Sequence, residues 1–229
     1  MAVIALALAA AGCGGGGGGD AGGRAADQSL VIGMNQVTQN FDPISATATA
    51  DYTYWRFVYD TLVSTDDGTP KPWAAESFKP IDAKHWRFTL RKGVKFTNGE
   101  PLDAEAVRYT FQRALDDQKT PWRVRIEALQ KMVVIDPQTI DFHLSKPVGN
   151  WPTRTSVVWL VPPKYTKENP GALVTKPIGT GPFKVDSFSP GEKVVLSPNA
   201  DFWGTKPSLK KVELRSIPED STRVSALLA

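Results

Sequence analysis

Residues 85–111 read HWRFTLRKGVKFTNGEPLDAEAVRYTF, and this stretch decides the fold. Trp86, Phe88 and Leu90 alternate with His85, Arg87 and Thr89, the period-two pattern of a strand with one buried face. Gly93 permits a reversal, and Val94 and Phe96 return to the apolar face as a second strand. Asn98-Gly99 then supplies the side chain and the free φ that a tight turn requires. Asp103 is placed to cap a helix whose first turn carries Glu105, where the helix dipole favours negative charge. Val107, Phe111, Ala114 and Leu115 fall on one face of that helix, so it is predicted to pack back onto the strands.

The flanking chain continues the alternation of strands and helices. Leu30 to Met34 is a continuous apolar run, predicted to be the first buried strand, and Asn40-Phe41-Asp42-Pro43 is a turn. From Asp51, the residues Tyr52, Trp55, Tyr59 and Leu62 recur at helical spacing, and Thr65-Asp66-Asp67-Gly68 closes that unit. A hairpin is expected at Val133-Val134-Ile135 and Ile140 to Leu144 across Asp136-Pro137-Gln138. Residues 147–171 have no clear period and read as loop with a short apolar segment at Val157 to Val161. Phe183 to Val185 and Val194 to Leu196 read as strands joined through Pro190-Gly191, followed by a strand from Val212 to Ile217. Ser221 is placed to cap a last helix with Val224, Leu227 and Leu228 on its apolar face. No C-cap glycine or basic last turn precedes Ala229, so the chain is expected to be part of a longer one.

In 229 residues with 41% hydrophobic content there is enough apolar material for a core. A net charge of +3, with Lys and Arg scattered among 24 acidic residues, lacks the clustered basic face of a nucleic-acid binder. The single cysteine, Cys13, excludes an intrachain disulfide and a thiolate cluster. It follows a short apolar run from Ala2 to Ala11 and the small residues Ala10, Ala11 and Gly12, which resembles a lipoprotein processing site. Residues 1–13 are therefore read as a signal peptide ending in a lipidated cysteine. Ala10 stands where Leu is more usual, and no Lys or Arg precedes the run, so the true start is expected upstream. Residues 14–28 are a Gly-rich tether, because Gly loses the most backbone entropy on ordering and buries no side chain.

Positive signs of catalysis are missing. Only two histidines occur, His85 and His143, and strand phasing puts both on polar faces as surface residues. No Gly-x-Ser-x-Gly or His-Glu-x-x-His motif is present, and no carboxylate pair is singled out. No catalytic residue, metal ligand or cofactor is assigned. Seven tryptophans are the better candidates for ligand contact, since an indole can line an apolar cleft and donate one hydrogen bond. Trp73 and Trp86 are expected in the core and Trp203 in a structural block. Trp122 and Trp151 lie where the chain is irregular and could face either core or cleft.

The run WRFTLRKGVKFTNGEPLDAEAV resembles the signature of extracytoplasmic solute-binding protein family 5, the peptide and nickel receptors of ABC importers. Agreeing blocks occur in the family's order: Pro72 to Ser77, Pro177 to Phe183, Asn199 to Gly204, and Ile217 to Arg223. The resemblance implies an α/β, two-lobed fold of the periplasmic-binding-protein type II kind, with residues 29–229 holding mostly the first lobe. It implies a monomeric, lipid-anchored extracytoplasmic receptor that hands peptides to membrane permease subunits and performs no chemistry. By family position it nominates Asn35, Tyr52, Trp122, Trp151 and Arg154 as ligand contacts. Nickel-type members hold the metal's organic chelator with an arginine, for which Arg154 is the one nearby cation beside Thr155-Ser156-Val157-Val158. That sets peptide ahead of nickel, with other small solutes, a hydrolase and a structural lipoprotein behind.

Overall fold

The alternation of Trp86, Phe88 and Leu90 does place them on one buried face, each exposed by 9% or less. The computed structural model of the chain describes residues 28–45 and 51–228, so Cys13, the apolar run before it and the glycine run fall outside the described residues. In chain order the described elements begin with β1 (Ser29–Met34), α1 (Asp51–Val58), β2 (Val63–Ser64), β3 (Lys71–Pro72), β4 (Ala75–Asp82), β5 (His85–Leu90) and α2 (Ala104–Asp116). They continue with α3 (Arg123–Ile126), β6 (Leu129–Asp136), β7 (Thr139–Leu144), α4 (Trp151–Thr155) and α5 (Pro163–Glu168). Last come β8 (Phe183–Ser189), β9 (Lys193–Pro198), β10 (Lys211–Ser216) and α6 (Asp220–Leu228).

Two four-stranded sheets carry the architecture. One has the order β4-β5-β7-β6 and is antiparallel throughout, with Phe88 opposite Ile140 and Trp86 opposite Phe142. Helix α2 covers its apolar face through Val107 and Phe111, whose ring lies 5.0 Å from that of Phe142. The Asp103 carboxylate accepts the Ala106 N–H at 2.9 Å, the cap read from the sequence. The second sheet has the order β1-β10-β9-β8, with β1 parallel to β10 and the other pairs antiparallel. Its core joins Val194, Leu196, Val212 and Leu214 to Trp55 and Val58 of α1.

Several expectations change. Strand β1 forms but is half-exposed, with Leu30 at 43% and Val31 at 54%, because it is a sheet edge paired only with β10. Val94 and Phe96 are buried but form no strand, since the return is held by the single Lys95–Pro101 bridge and the turn at Gly99. Helix α1 ends at Val58, although Tyr59 and Leu62 beyond it remain buried. Residues 147–171 hold α4 and α5, which are too short to show a helical period. Helix α6 starts at Asp220, so Ser221 lies inside it, and none of its residues is buried.

Candidate functional site

Where α1 begins, an aromatic group gathers from three separate parts of the chain. The Tyr52 ring lies 5.7 Å from Trp55, 5.0 Å from Trp122 and 5.8 Å from Trp159. Trp55 also meets Trp122 and Trp159 edge-on at 6.4 and 6.1 Å, the tilted geometry favoured by ring quadrupoles. Helical spacing puts Tyr52 and Trp55 on the same side of α1, and Trp122 is delivered by the turn that starts α3. The Trp122 indole N–H donates to the Pro43 carbonyl at 2.8 Å, which orients its ring. The indole N–H groups of Trp55 and Trp159 are buried and have no acceptor among the described residues.

Tyr52 is the half-buried member and forms the rim. Burial pushes its pKa up to about 12, with the Arg125 charge pulling the other way, so the phenol keeps its proton at neutral pH. On its far side it lines an open apolar groove with Thr53, Arg56, Phe57, Pro182 and Phe183. Arg154 of α4 approaches through α3, its guanidinium donating to the Arg125 carbonyl at 3.4 Å. The arrangement offers apolar faces, a phenol, and cationic side chains at the rim. It can hold an organic solute by stacking and by hydrogen bonds to ligand oxygens.

Of the five nominated contacts, Tyr52 and Trp122 are in direct ring contact, and Arg154 reaches the helix that follows Trp122. Asn35 is exposed just past β1, one residue before Gln36, whose carbonyl accepts the Tyr54 hydroxyl. Trp151, read from the sequence as facing either core or cleft, is fully buried in the other core, 5.8 Å from Phe142. It opens α4 with its side chain turned onto the sheet, and an irregular sequence context says nothing of which way such a short helix faces.

Sequence reasoning missed Trp159, hidden in the apolar segment Val157 to Val161, and it missed Asp60. The Asp60 carboxylate accepts the Trp73 indole N–H at 2.7 Å, the Thr180 hydroxyl at 2.7 Å and the Trp203 indole N–H at 2.9 Å. One buried acid thus ties together three blocks far apart in sequence. Trp73, expected in the core, is instead 37% exposed at this junction, 5.1 Å from the Trp203 ring. Beside it, Gly179 and Gly181 pass directly over the end of α1, and the Gly181 N–H donates to Val58 O at 2.8 Å. A Cβ on Gly179 would lie 2.0 Å from Val58 O, so the close approach requires glycine.

The model of the bacterial extracellular solute-binding proteins, family 5 Middle, matches residues 69–229. The chain is 32% identical over 215 residues to the probable D,D-dipeptide-binding periplasmic protein DdpA of Escherichia coli, covering 85% of this chain and 40% of that one. It is 31% identical over 176 residues to the nickel-binding periplasmic protein of the same organism, covering 74% and 34%. Among solved structures, the ABC transporter-associated periplasmic binding protein DppA from Helicobacter pylori, in complex with the peptide STSA, superposes with a TM-score of 0.78 at 28% identity. That match covers 87% of this chain and 44% of that one. The chain therefore spans less than half the length of each of these proteins.

Proposed function

Because the chain belongs to the bacterial extracellular solute-binding proteins of family 5, we propose that it supplies the first lobe of a peptide receptor for an ABC importer. The fold is part of the type II-like, two-lobed periplasmic-binding architecture. In such a receptor solute binds between lobes, hinge closure buries it, and the closed form is delivered to permease subunits. The observation that carries the reading is the likeness of nearly the whole described chain to a binding protein solved with a peptide in place.

The aromatic group supports it. Tyr52, held at the rim against the buried Trp122 and Trp159, offers an apolar ring to a ligand, and its phenol is a proton donor for a ligand carbonyl or carboxylate. Arg154 and Asn35 stand as rim contacts. The protein acts by binding, without catalysis or a cofactor, as a monomer outside the cytoplasm. Residues 1–13 serve as the signal peptide, Cys13 as the lipid anchor and residues 14–28 as the tether, leaving residues 29–229 as the solute-binding part. Replacing Cys13 by Ser in the full-length protein is expected to release it from membranes without changing solute affinity. Equal loss of both would refute the tether.

A second reading, a metal-chelate receptor, is favoured by the 31% identity to the nickel-binding protein and by Arg154 as a cation for the chelator. Native mass spectrometry of the full-length mature protein from its own host separates the two. A ladder of short peptide masses establishes the peptide receptor, whereas one discrete mass with a nickel isotope pattern replaces it.

A further inference from the structure

On the solvent face of β5 and β7, away from α2, the strand register sets His85 opposite His143 and Arg87 opposite Asp141. The two imidazoles stack with centroids 4.2 Å apart and planes at 24°. Asp141 lies beside them, its side chain only 4% exposed although it faces away from the core. Arg87 donates from Nε and a terminal nitrogen to the two carboxylate oxygens at 2.7 and 2.8 Å, which fixes the carboxylate plane. His85 Nε2 stands 3.0 Å from Asp141 Oδ2, yet the pair is not aligned as a hydrogen bond, and this buried nitrogen has no other acceptor or donor among the described residues.

We propose that His85, His143 and Asp141 form a transition-metal site for zinc, or for copper or nickel in its place. One ligand atom from each of the three lies within 4.8 Å of the other two. Bonds of 2.0–2.2 Å in a tetrahedral shell place ligands about 3.3 Å apart, so small side-chain rotations bring these atoms to one ion. Two imidazoles and one carboxylate suit zinc, copper and nickel rather than magnesium or calcium, and leave a fourth position for water. Arg87 stands behind Asp141 as the group that orients a metal ligand.

An ordinary ion pair explains the group less well. Asp141 is already paired with Arg87 through both carboxylate oxygens, so its charge has a partner without either histidine. Neutral imidazole is the form that binds metal.

The test uses the full-length mature protein, made without a polyhistidine tag, stripped of metal and titrated with zinc, nickel and copper(II) against a chromophoric chelator. One equivalent of zinc is expected to bind. His85→Ala and His143→Ala are each expected to weaken it by at least about tenfold, the loss typical even of removing a partner behind a ligand. Zinc should raise the melting temperature of the parent and not of either variant. Melting of the metal-free variants checks their folding, and if one fails to fold the other decides. Absence of one bound equivalent overturns the site. So does full affinity in a folded histidine variant, which would send the metal elsewhere in the protein.

Discussion

Asp60 is 2% exposed and gathers two indole N–H groups and a buried hydroxyl, so its removal leaves all three without this acceptor. Asp60→Ala is expected to cost about 3–5 kcal/mol, read from the urea midpoint at constant slope. Burial is the largest influence on its carboxyl and raises its pKa, against the lowering by Trp203, Thr180 and Trp73. Its contribution to stability is therefore fully present below the unfolded pKa of about 3.9 and lost as pH rises through the raised folded value. Asp141 has the opposite sign. The Arg87 hydrogen bonds hold its pKa down, so its contribution is present above about 3.9 and lost as pH falls through the lowered folded value. Urea midpoints followed across the acid range should show Asp141→Asn flattening the acid-side fall and Asp60→Asn flattening the decline above it. At Gly179, alanine would press a methyl against the backbone of Val58, and a loss of about 3 kcal/mol or more is expected.

At the scale of elements, the cap of α2 and the facing of α4 make separate predictions. Asp103→Ala removes the acceptor for the Ala106 N–H and is expected to cost about 1 kcal/mol in a denaturant titration. Helix α4 presents Trp151 inward and Arg154 toward α3, so its residues divide by role. Trp151→Ala should cost about 3–5 kcal/mol of stability, measured by unfolding, and leave solute affinity in the folded fraction unchanged. A loss of affinity with intact stability would return Trp151 to the ligand surface.

For the whole molecule, the decisive property is the pairing of two sheets with an aromatic group at the head of α1. The Tyr52 ring caps that group and lines the adjoining groove, so on the proposed peptide-binding function Tyr52→Ala in the full-length protein should weaken peptide binding about tenfold, or 1.4 kcal/mol. Calorimetry reads that loss, while the melting temperature of the unliganded protein should move little.

The amino-acid sequence by itself determined β5, the β6–β7 hairpin, α2 with its Asp103 cap and the turns at Gly68, Gly99 and Gly191, because each is set by local periodicity or by the φ its turn residue permits. Tyr52 and Trp122 were nominated by family position, not by any period of the sequence. Only the tertiary structure decided that Trp151 is core while Trp159 joins the aromatic group, that Asp60 binds three distant blocks, and that His85 and His143 face one another. Those facts depend on which strands pair and which faces meet, and pairing between residues dozens of positions apart leaves no period in the sequence that either partner could carry alone.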